Sequence, residues 1–86
     1  MNPKIPPPMS SLAQSISVGG QYEHYKGLRY KVLAVARHSE TLEELVVYQA
    51  LYGEQGIWVR PLLMFLENIT LNGESRPRFK LIQSTF

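Results

Sequence analysis

Apolar and polar positions alternate over short stretches of this chain, and each stretch ends at a turn signal. The longest stretches are "LRYKVLAVAR" (28–37) and "ELVVYQALY" (44–52), both rich in Val, Leu and Tyr. Such side chains favour pleated, half-buried strands. The segment "GEQG" (53–56) supplies two glycines for a hairpin turn, after which "IWVRP" (57–61) returns antiparallel. Together these segments predict the centre of an antiparallel sheet.

Weaker signals on both sides of this centre complete the predicted fold. "GQYEHY" (20–25) and "RFKLI" (78–82) are predicted as short strands, and "NGES" is a hairpin signal. "LLMFLENITL" (62–71) fits a helical turn and a strand equally well. No segment is long enough for the crossover helix of a parallel sheet. We therefore expect a mainly all-β domain over residues 19–86, an SH3-like, partly open barrel of about five short antiparallel strands.

The first eighteen residues differ from the rest, because they carry four prolines and four serines with no periodic apolar face. Consecutive prolines favour an extended polyproline II conformation, and serines offer little surface for packing. Residues 1–18 are therefore predicted to form a disordered tail. The alternative is that "KIPPPM" (4–9) serves as a ligand for a proline-binding groove on another protein.

Composition excludes several kinds of chemistry. The 86 residues contain no cysteine, and all seven acidic residues are glutamates. Disulfides, thiolate chemistry and Asp-rich calcium loops are therefore absent, and no cofactor is expected. No apolar run approaches the roughly 20 residues that span a bilayer, and prolines stand where a secretory signal has its apolar region. A cytoplasmic location without a membrane partner is the default expectation, and the thin core leaves self-association as an open alternative.

Strand periodicity predicts a candidate binding face. In β-strands alternate side chains point to the same side, so Tyr30, Val32, Ala34 and Ala36 are predicted to lie opposite Arg29, Lys31, Leu33, Val35 and Arg37. Across the "GEQG" turn, one face would carry Tyr48, Tyr52, Trp58 and Arg60. Aromatic rings beside a guanidinium are enriched at binding surfaces. The alternative is that the aromatic residues fill the core, and Arg60 is expected to pair with a glutamate.

A polar segment joins the two longest apolar stretches without glycine, proline or asparagine. It contains Arg37, His38, Ser39, Glu40 and Thr41. One interpretation is a turn whose backbone N–H groups are satisfied by the hydroxyls of Ser39 and Thr41. The other is a recognition loop in which the arginine and histidine bind a ligand. The two interpretations are compatible.

Catalytic and metal-binding alternatives have little support in the sequence. His38 with Glu40 or Glu43 could activate Ser39, but no nucleophile motif or oxyanion loop accompanies them. A metal site built from His24, His38 and a glutamate lacks any recognisable ligand spacing. We therefore predict neither a catalytic residue nor a metal ligand.

Nucleic-acid binding is the competing function. Basic residues interleave with aromatic ones in two places, a pattern that suits phosphate contacts combined with base stacking. The candidate residues are Lys26, Arg29, Lys31, Arg76, Arg78 and Lys80. The alternative is that these charges protect the edge of a sheet from unwanted pairing.

Five blocks of this sequence resemble a small bacterial family catalogued as domain of unknown function 1653. They are Gly20 to Gly27 ("GQYEHYKG"), 35–41 ("VARHSET"), 46–53 ("VVYQALYG"), 58–61 ("WVRP") and 64–67 ("MFLE"). The resemblance covers nearly all of residues 19–86 and excludes the tail. It implies an SH3-like β-barrel and brings no activity.

The sequence thus favours a non-catalytic binding module for a small polar ligand, a peptide or a protein. The predicted ligand-binding residues are Arg37 to Thr41 in the polar segment and Tyr48, Tyr52, Trp58 and Arg60 on the aromatic face.

Overall fold

A computed structural model describes residues 5–84, which form seven strands and two short helices. In chain order these are α1 (Ser11–Gln14), β1 (Gln21–His24), β2 (Arg29–Arg37), β3 (Glu44–Ala50), β4 (Ile57–Pro61), α2 (Leu62–Phe65), β5 (Asn68–Leu71), β6 (Glu74–Pro77) and β7 (Phe79–Gln83). Strands β4-β3-β2-β1-β7 form one antiparallel sheet in that spatial order, and β5 and β6 pair only with each other. The prediction of a mainly all-β, partly open antiparallel fold is confirmed. The predicted SH3-like barrel is not closed, because β4 and β7 are the two open edges of the five-stranded sheet and do not pair with each other.

Strands β3 and β4 form the hairpin that the "GEQG" segment predicts. Their register pairs Val46 with Arg60 and Tyr48 with Trp58. Within the turn, Gly53 and Gln55 both have positive φ angles, of 58° and 56°. Glycine adopts this conformation without steric cost, which explains its place in the turn.

A β-bulge interrupts the pairing of β2 with β3. The register passes from Val32↔Tyr48 to Ala34↔Val47, so Leu33 is the extra residue. Since an extra residue reverses the face of every side chain that follows, Val35 lies opposite the buried Val46. The simple alternation predicted for this strand is therefore wrong beyond Leu33.

The core lies on one face of the sheet, beneath the two helices. Val32, Val46 and Phe65 are its largest fully buried side chains. The Phe65 ring, from α2, stacks on the Phe79 ring of β7 at 4.2 Å between centroids. Pro61 ends β4, since proline cannot donate a hydrogen bond to a ladder, and α2 begins at the next residue. The ambiguous segment 62–71 thus contains both a helical turn and a strand.

The structure differs from the expected tail from Met9 onward. Ser10 caps α1 by accepting a hydrogen bond from the Ala13 backbone N–H at 3.1 Å. Ala13 and Ile16 are buried in the core cluster, and Met9 packs against it. The apolar residues of this segment are too few to show periodicity, yet they cover the end of an open sheet. The start of the proline motif, up to residue 4, lies outside the described residues, as do positions 85 and 86.

The β5–β6 hairpin pairs with no strand of the five-stranded sheet. Its turn, Asn72-Gly73, has positive φ angles of 50° and 79°, as the "NGES" signal predicts. Most of its side chains are exposed. The described residues span 50 × 31 × 25 Å. Between residues 5 and 84, no helix is long and apolar enough to cross a membrane.

Candidate functional site

The polar segment after β2 forms a tight turn that satisfies its own backbone. The His38 Nδ1 accepts hydrogen bonds from the backbone N–H groups of Glu40 and Thr41, at 3.1 and 3.3 Å. The Thr41 hydroxyl accepts another from the Glu43 N–H at 3.1 Å. The backbone of His38 bonds to Glu43 and Leu42 at 2.8 Å each. The contacts thus fit the interpretation of this segment as a turn whose backbone N–H groups are satisfied by side chains. The His38 imidazole, rather than the Ser39 hydroxyl, is the acceptor.

Arg37, immediately before this turn, contacts the N-terminal segment. Its Nε donates to the Met9 sulfur at 3.0 Å, and its Nη2 donates to the Pro7 carbonyl. Beside it, the Ser10 backbone N–H and hydroxyl donate to the Glu44 carboxylate at 2.7 and 2.5 Å. These hydrogen bonds lower the pKa of Glu44. Arg37 therefore helps to hold the N-terminal segment rather than projecting toward a ligand.

At the other end of β2 and β3, the rings of eight side chains form a cluster. Tyr30 is central, because its ring lies 5.3 Å from Tyr48, 5.5 Å from Tyr52 and 5.7 Å from Phe79, all edge to face. The hydroxyls of Tyr30 and Tyr52 are hydrogen-bonded to each other. The cluster comprises Tyr22, His24, Tyr25, Tyr30, Tyr48, Tyr52, Phe65 and Phe79.

Arg60 lies on this cluster without a carboxylate partner. Its Nε donates to the Tyr48 hydroxyl at 3.2 Å, and its Cζ lies 5.5 Å from the centroid of the Phe79 ring. No glutamate forms an ion pair with it anywhere in residues 5–84. The expected glutamate partner is therefore replaced by a phenol and an aromatic face. The terminal nitrogens of the guanidinium make no hydrogen bond within the described chain.

The structure divides the residues that the sequence predicts for ligand binding into two groups. Tyr48, Tyr52 and Trp58 lie toward the Tyr30 end of the sheet. Arg60 pairs with Val46, whose other partner is Val35, so its backbone lies nearer to Arg37, but its side chain contacts the Tyr48 hydroxyl. The contacts of Arg37 to Thr41 are instead within their own turn or with the N-terminal segment. Seven residues separate Tyr30 from Arg37 along β2, which corresponds to roughly 23 Å of strand. Tyr48 is buried, but Trp58 is 58% exposed and Tyr52 is 40% exposed. Tyr48 is therefore a core residue, as the alternative interpretation of the aromatic residues expected, whereas Trp58 is not.

We call the group formed by Tyr30, Tyr48, Tyr52, Trp58, Arg60 and Phe79 the aromatic–arginine face. Tyr48 and Phe79 are its buried members, and Trp58 joins it as the cross-strand partner of Tyr48. Its electrostatic environment is positive. Desolvation, followed by the charges of Arg60, Lys26 and Arg78, lowers the pKa of His24. Burial, followed by the hydrogen bond with Tyr52, raises the pKa of Tyr30 to about 12. At neutral pH the face therefore combines neutral rings with one fixed cation.

The basic residues of the nucleic-acid alternative are partly neutralised. Arg29, Arg76 and Arg78 pair with Glu23, Glu74 and Glu67, at 3.6, 3.2 and 2.8 Å. Lys26 lies over the Tyr25 ring, and Lys80 is opposite Glu23 in the β1–β7 register. Lys31 faces solvent. A cleft of about 350 Å³ beside these residues is lined by Glu23, His24, Tyr25, Arg76, Pro77 and Lys80.

The geometry does not assemble the catalytic or metal-binding alternatives. The Nδ1 of His38 is occupied by backbone N–H groups and cannot accept a proton from Ser39 through that atom. His24 ends β1, whereas His38 follows the far end of β2. No group of three possible metal-ligating side chains occurs in the part of the chain that the structure describes.

Three members or neighbours of the aromatic–arginine face were not predicted from the sequence as part of a site. Tyr30 was assigned only to the strand face that it shares with Val32, Phe79 only to a short strand, and His24 only to the metal alternative. A signal for Tyr30 was present, because it shares its predicted face with Val32, whose side chain is fully buried. Phe79 joins the face through the β1–β7 pairing, which places it opposite His24. Such a long-range pairing cannot be deduced from local periodicity.

Comparison with known proteins identifies the family. Residues 20–81 match the family described as protein of unknown function (DUF1653). A crystal structure of a DUF1653 protein from Bordetella bronchiseptica is 34% identical to this chain, with a TM-score of 0.74. The alignment covers 86% of this chain and 96% of that one. No curated protein matches. The chain belongs to the DUF1653 family, and the family carries no assigned activity.

Proposed function

We propose that this DUF1653 protein is a non-catalytic binding module that recognises an anionic group on a small polar ligand, a peptide or a protein. The binding site is the aromatic–arginine face, with Arg60 as the anion-binding residue. The site does not include the polar segment Arg37 to Thr41, because the side chains of Arg37, His38 and Thr41 already contact the N-terminal segment or the backbone of their own turn.

The observation that carries this proposal is the uncompensated guanidinium of Arg60. A cation that is partly removed from water requires hydrogen bonds or an opposite charge. Arg60 has one hydrogen bond to a phenol and one aromatic contact, both of which position it while leaving its terminal N–H groups free for a carboxylate. A guanidinium binds a carboxylate through two parallel hydrogen bonds, which adds geometric specificity.

The surrounding aromatic residues favour a ligand with a planar or apolar part next to its anionic group. Trp58 is the direct cross-strand neighbour of Tyr48 and exposes more than half of its surface. Tyr30 and Tyr52 offer hydroxyls at the rim. Rigid aromatic side chains provide contact area with little loss of conformational entropy.

Benzoate is a minimal probe of this site, since it combines a carboxylate with one ring. A ligand of this size is expected to bind with about 3 kcal/mol, or a Kd on the order of 10 mM. In a ¹H–¹⁵N NMR titration, benzoate should shift the Arg60 Nε–H and Trp58 indole N–H signals in a saturable manner. Benzamide, which has the same shape without the charge, should not.

Two variants separate this site from general attraction of anions. Arg60→Gln should abolish the benzoate shifts at Trp58. Arg29→Gln, which removes an exposed arginine already paired with Glu23, should leave them unchanged. The proposal is contradicted if benzamide gives the same shifts as benzoate, or if both variants respond equally.

Nucleic-acid binding has weaker support. Three of its six candidate cations already pair with glutamates, and phosphate-driven binding depends on free positive charge. It also predicts a different salt response. Phosphate contacts weaken steeply as ionic strength rises, so a steep salt dependence for an RNA or DNA oligonucleotide would favour that alternative.

A further inference from the structure

Strand β4 is an edge strand without the usual protection against pairing. Ile57, Trp58 and Val59 are consecutive apolar residues and are exposed to 60%, 58% and 56%. Edge strands of monomeric proteins normally carry lysine, proline or a bulge to prevent association. The other edge, β7, has such protection, because it contains Lys80 and its pairing with β1 shifts register near Gln21. On β4, the two protective residues, Arg60 and Pro61, occupy only the last two positions and leave residues 57–59 unprotected.

The outward backbone groups of β4 can be identified from its pairing with β3. Ala50 donates its N–H to the Gly56 carbonyl at 2.9 Å, so these residues form a hydrogen-bonded pair. Since such pairs alternate along an antiparallel ladder, Trp58 and Arg60 direct their backbone groups toward β3. Ile57 and Val59 therefore direct theirs away from the sheet.

We propose that β4 pairs antiparallel with β4 of a second copy of this chain, around a twofold axis at Trp58. In this register, Ile57 of each copy lies opposite Val59 of the other, and the two residues exchange both N–H···O=C hydrogen bonds. The ladder then contains four such bonds. Pro61 lies beyond this four-bond ladder, so the N–H group that proline lacks is not needed by any carbonyl of the partner strand.

Side-chain chemistry favours a second copy as the occupant. Apart from Arg60, residues 57–66 carry no charge, and self-pairing brings apolar side chains together on both faces. The two Trp58 rings lie directly opposite each other, and aromatic cross-strand pairs stabilise sheets. Leu63, which is 70% exposed just after β4, extends the apolar strip. Arg60 remains outside the central pairs, so the inference does not rest on the proposed anion site. Trp58 belongs to both surfaces, however, so dimerisation covers part of the aromatic–arginine face.

The size of the apolar strip indicates a weak dimer. Its four large side chains expose more than half of their surface, on the order of 100 Å² each for residues of this size. With the backbone, two copies bury about 1,000 Å², the lower limit for a specific interface. Association is therefore expected between about 10 µM and 1 mM. Self-association was also an open alternative from the sequence, because a domain with such a small core is only marginally stable as a monomer.

Sedimentation equilibrium over this concentration range tests the proposal. The average mass should rise from 9.8 kDa toward twice that value. The emission of Trp58, the single tryptophan, should move to shorter wavelength in parallel. Val59→Lys should keep the protein monomeric. The matched control is Leu81→Lys on the opposite edge strand, a position that is 43% exposed, and it should still dimerise.

The register is tested by introducing one cysteine into this cysteine-free chain. A residue that faces itself across a non-hydrogen-bonded pair is about 4.5 Å from its copy between Cα atoms, within reach of a disulfide. Trp58→Cys should therefore form a disulfide dimer at least tenfold faster than Leu81→Cys under mild oxidation. A wild-type protein that stays monomeric at about 1 mM, or equal oxidation rates, would overturn the proposal. If the wild-type protein stays monomeric, an extended peptide would be the remaining partner for the β4 edge.

Discussion

Two polar regions flank strand β3, the turn between β2 and β3 on one side and Arg60 of β4 on the other, and they differ in how they use their polar groups. At the turn end, the His38 imidazole and the Thr41 hydroxyl accept hydrogen bonds from the backbone of the same turn. Beside the aromatic cluster, the Arg60 side chain of β4 has a phenol and a ring as neighbours and no carboxylate among residues 5–84. In the glycine-free turn, side chains therefore stabilise the backbone. The guanidinium of Arg60, in contrast, remains available to bind a ligand.

This difference separates stability from recognition. Backbone N–H groups in a turn must find acceptors, and side chains that provide them have little capacity left for a ligand. The aromatic rings, in contrast, fix the position of Arg60 without neutralising it. We expect substitutions at the turn end to change stability alone, and substitutions of Arg60 to change binding.

The largest effect is expected from Phe79→Ala. The Phe79 ring is 6% exposed, stacks on Phe65 and lies beneath Arg60. Its loss should lower the free energy of unfolding by about 3–5 kcal/mol, measured by urea titration. Leu81→Ala on the same strand, at a half-exposed position, should cost much less. Equal losses would mean that the aromatic end is not the structural centre described above.

A smaller loss is expected from His38→Ala. This change removes the acceptor for two backbone N–H groups and should lower the free energy of unfolding by about 0.5–2 kcal/mol. Ser39→Ala is the control and should stay within about 0.5 kcal/mol of the wild type, since no hydrogen bond of its side chain is seen in the turn. The sequence interpretation gave the opposite ranking, so thermal melts of the two variants distinguish them directly.

Leu42→Gly should stabilise the turn slightly. Leu42 has a φ angle of 64° and a side chain that is 51% exposed. A left-handed conformation costs a residue with a Cβ about 1–2 kcal/mol, and glycine avoids this cost but loses more entropy on folding. A net gain of about 0.5 kcal/mol is expected in chemical denaturation. Leu28→Gly, at another exposed leucine, serves as the control and should not stabilise the protein.

The smallest effect is expected at alkaline pH. The pKa of Tyr30 is raised to about 12, so the folded protein holds this proton more tightly than the unfolded chain, whose tyrosine titrates near 10. The resulting stabilisation is complete below pH 10 and is lost as the pH rises from about 10 to 12. Melting temperatures measured across this window should fall. Tyr52→Phe removes one cause of the shift and should make the fall shallower; an unchanged profile would show that the hydroxyl pair has no part in it.

Most of the sheet could be predicted from local patterns. Strand β4 has the predicted bounds, and β2 and β3 each differ only at one end, because glycine-rich turns and a proline mark their limits. The candidate site was predicted in part. Tyr48, Trp58 and Arg60 come together because they share one hairpin, whose register follows from its turn.

Two features could not be predicted from periodicity. The bulge at Leu33 reverses the faces of β2, which places Arg37 on the side where Met9 packs. The docking of α1 depends on contacts such as Ser10 with Glu44, 34 residues apart. Both features arise from tertiary packing, which overrides the local pattern of a short segment.

We expect the β5–β6 hairpin, which forms a separate two-stranded sheet, to open and close independently of the five-stranded sheet. An isolated two-stranded ribbon is marginally stable in water, and the turn at Asn72-Gly73 preserves its shape with little help from the core. Its backbone can therefore open and close many times while the five-stranded sheet stays folded. Amide hydrogen exchange in residues 68–77 is governed by this local opening, whereas exchange in β2 and β3 requires the whole sheet to open. The ribbon is accordingly the place where inserted residues disturb the rest of the protein least.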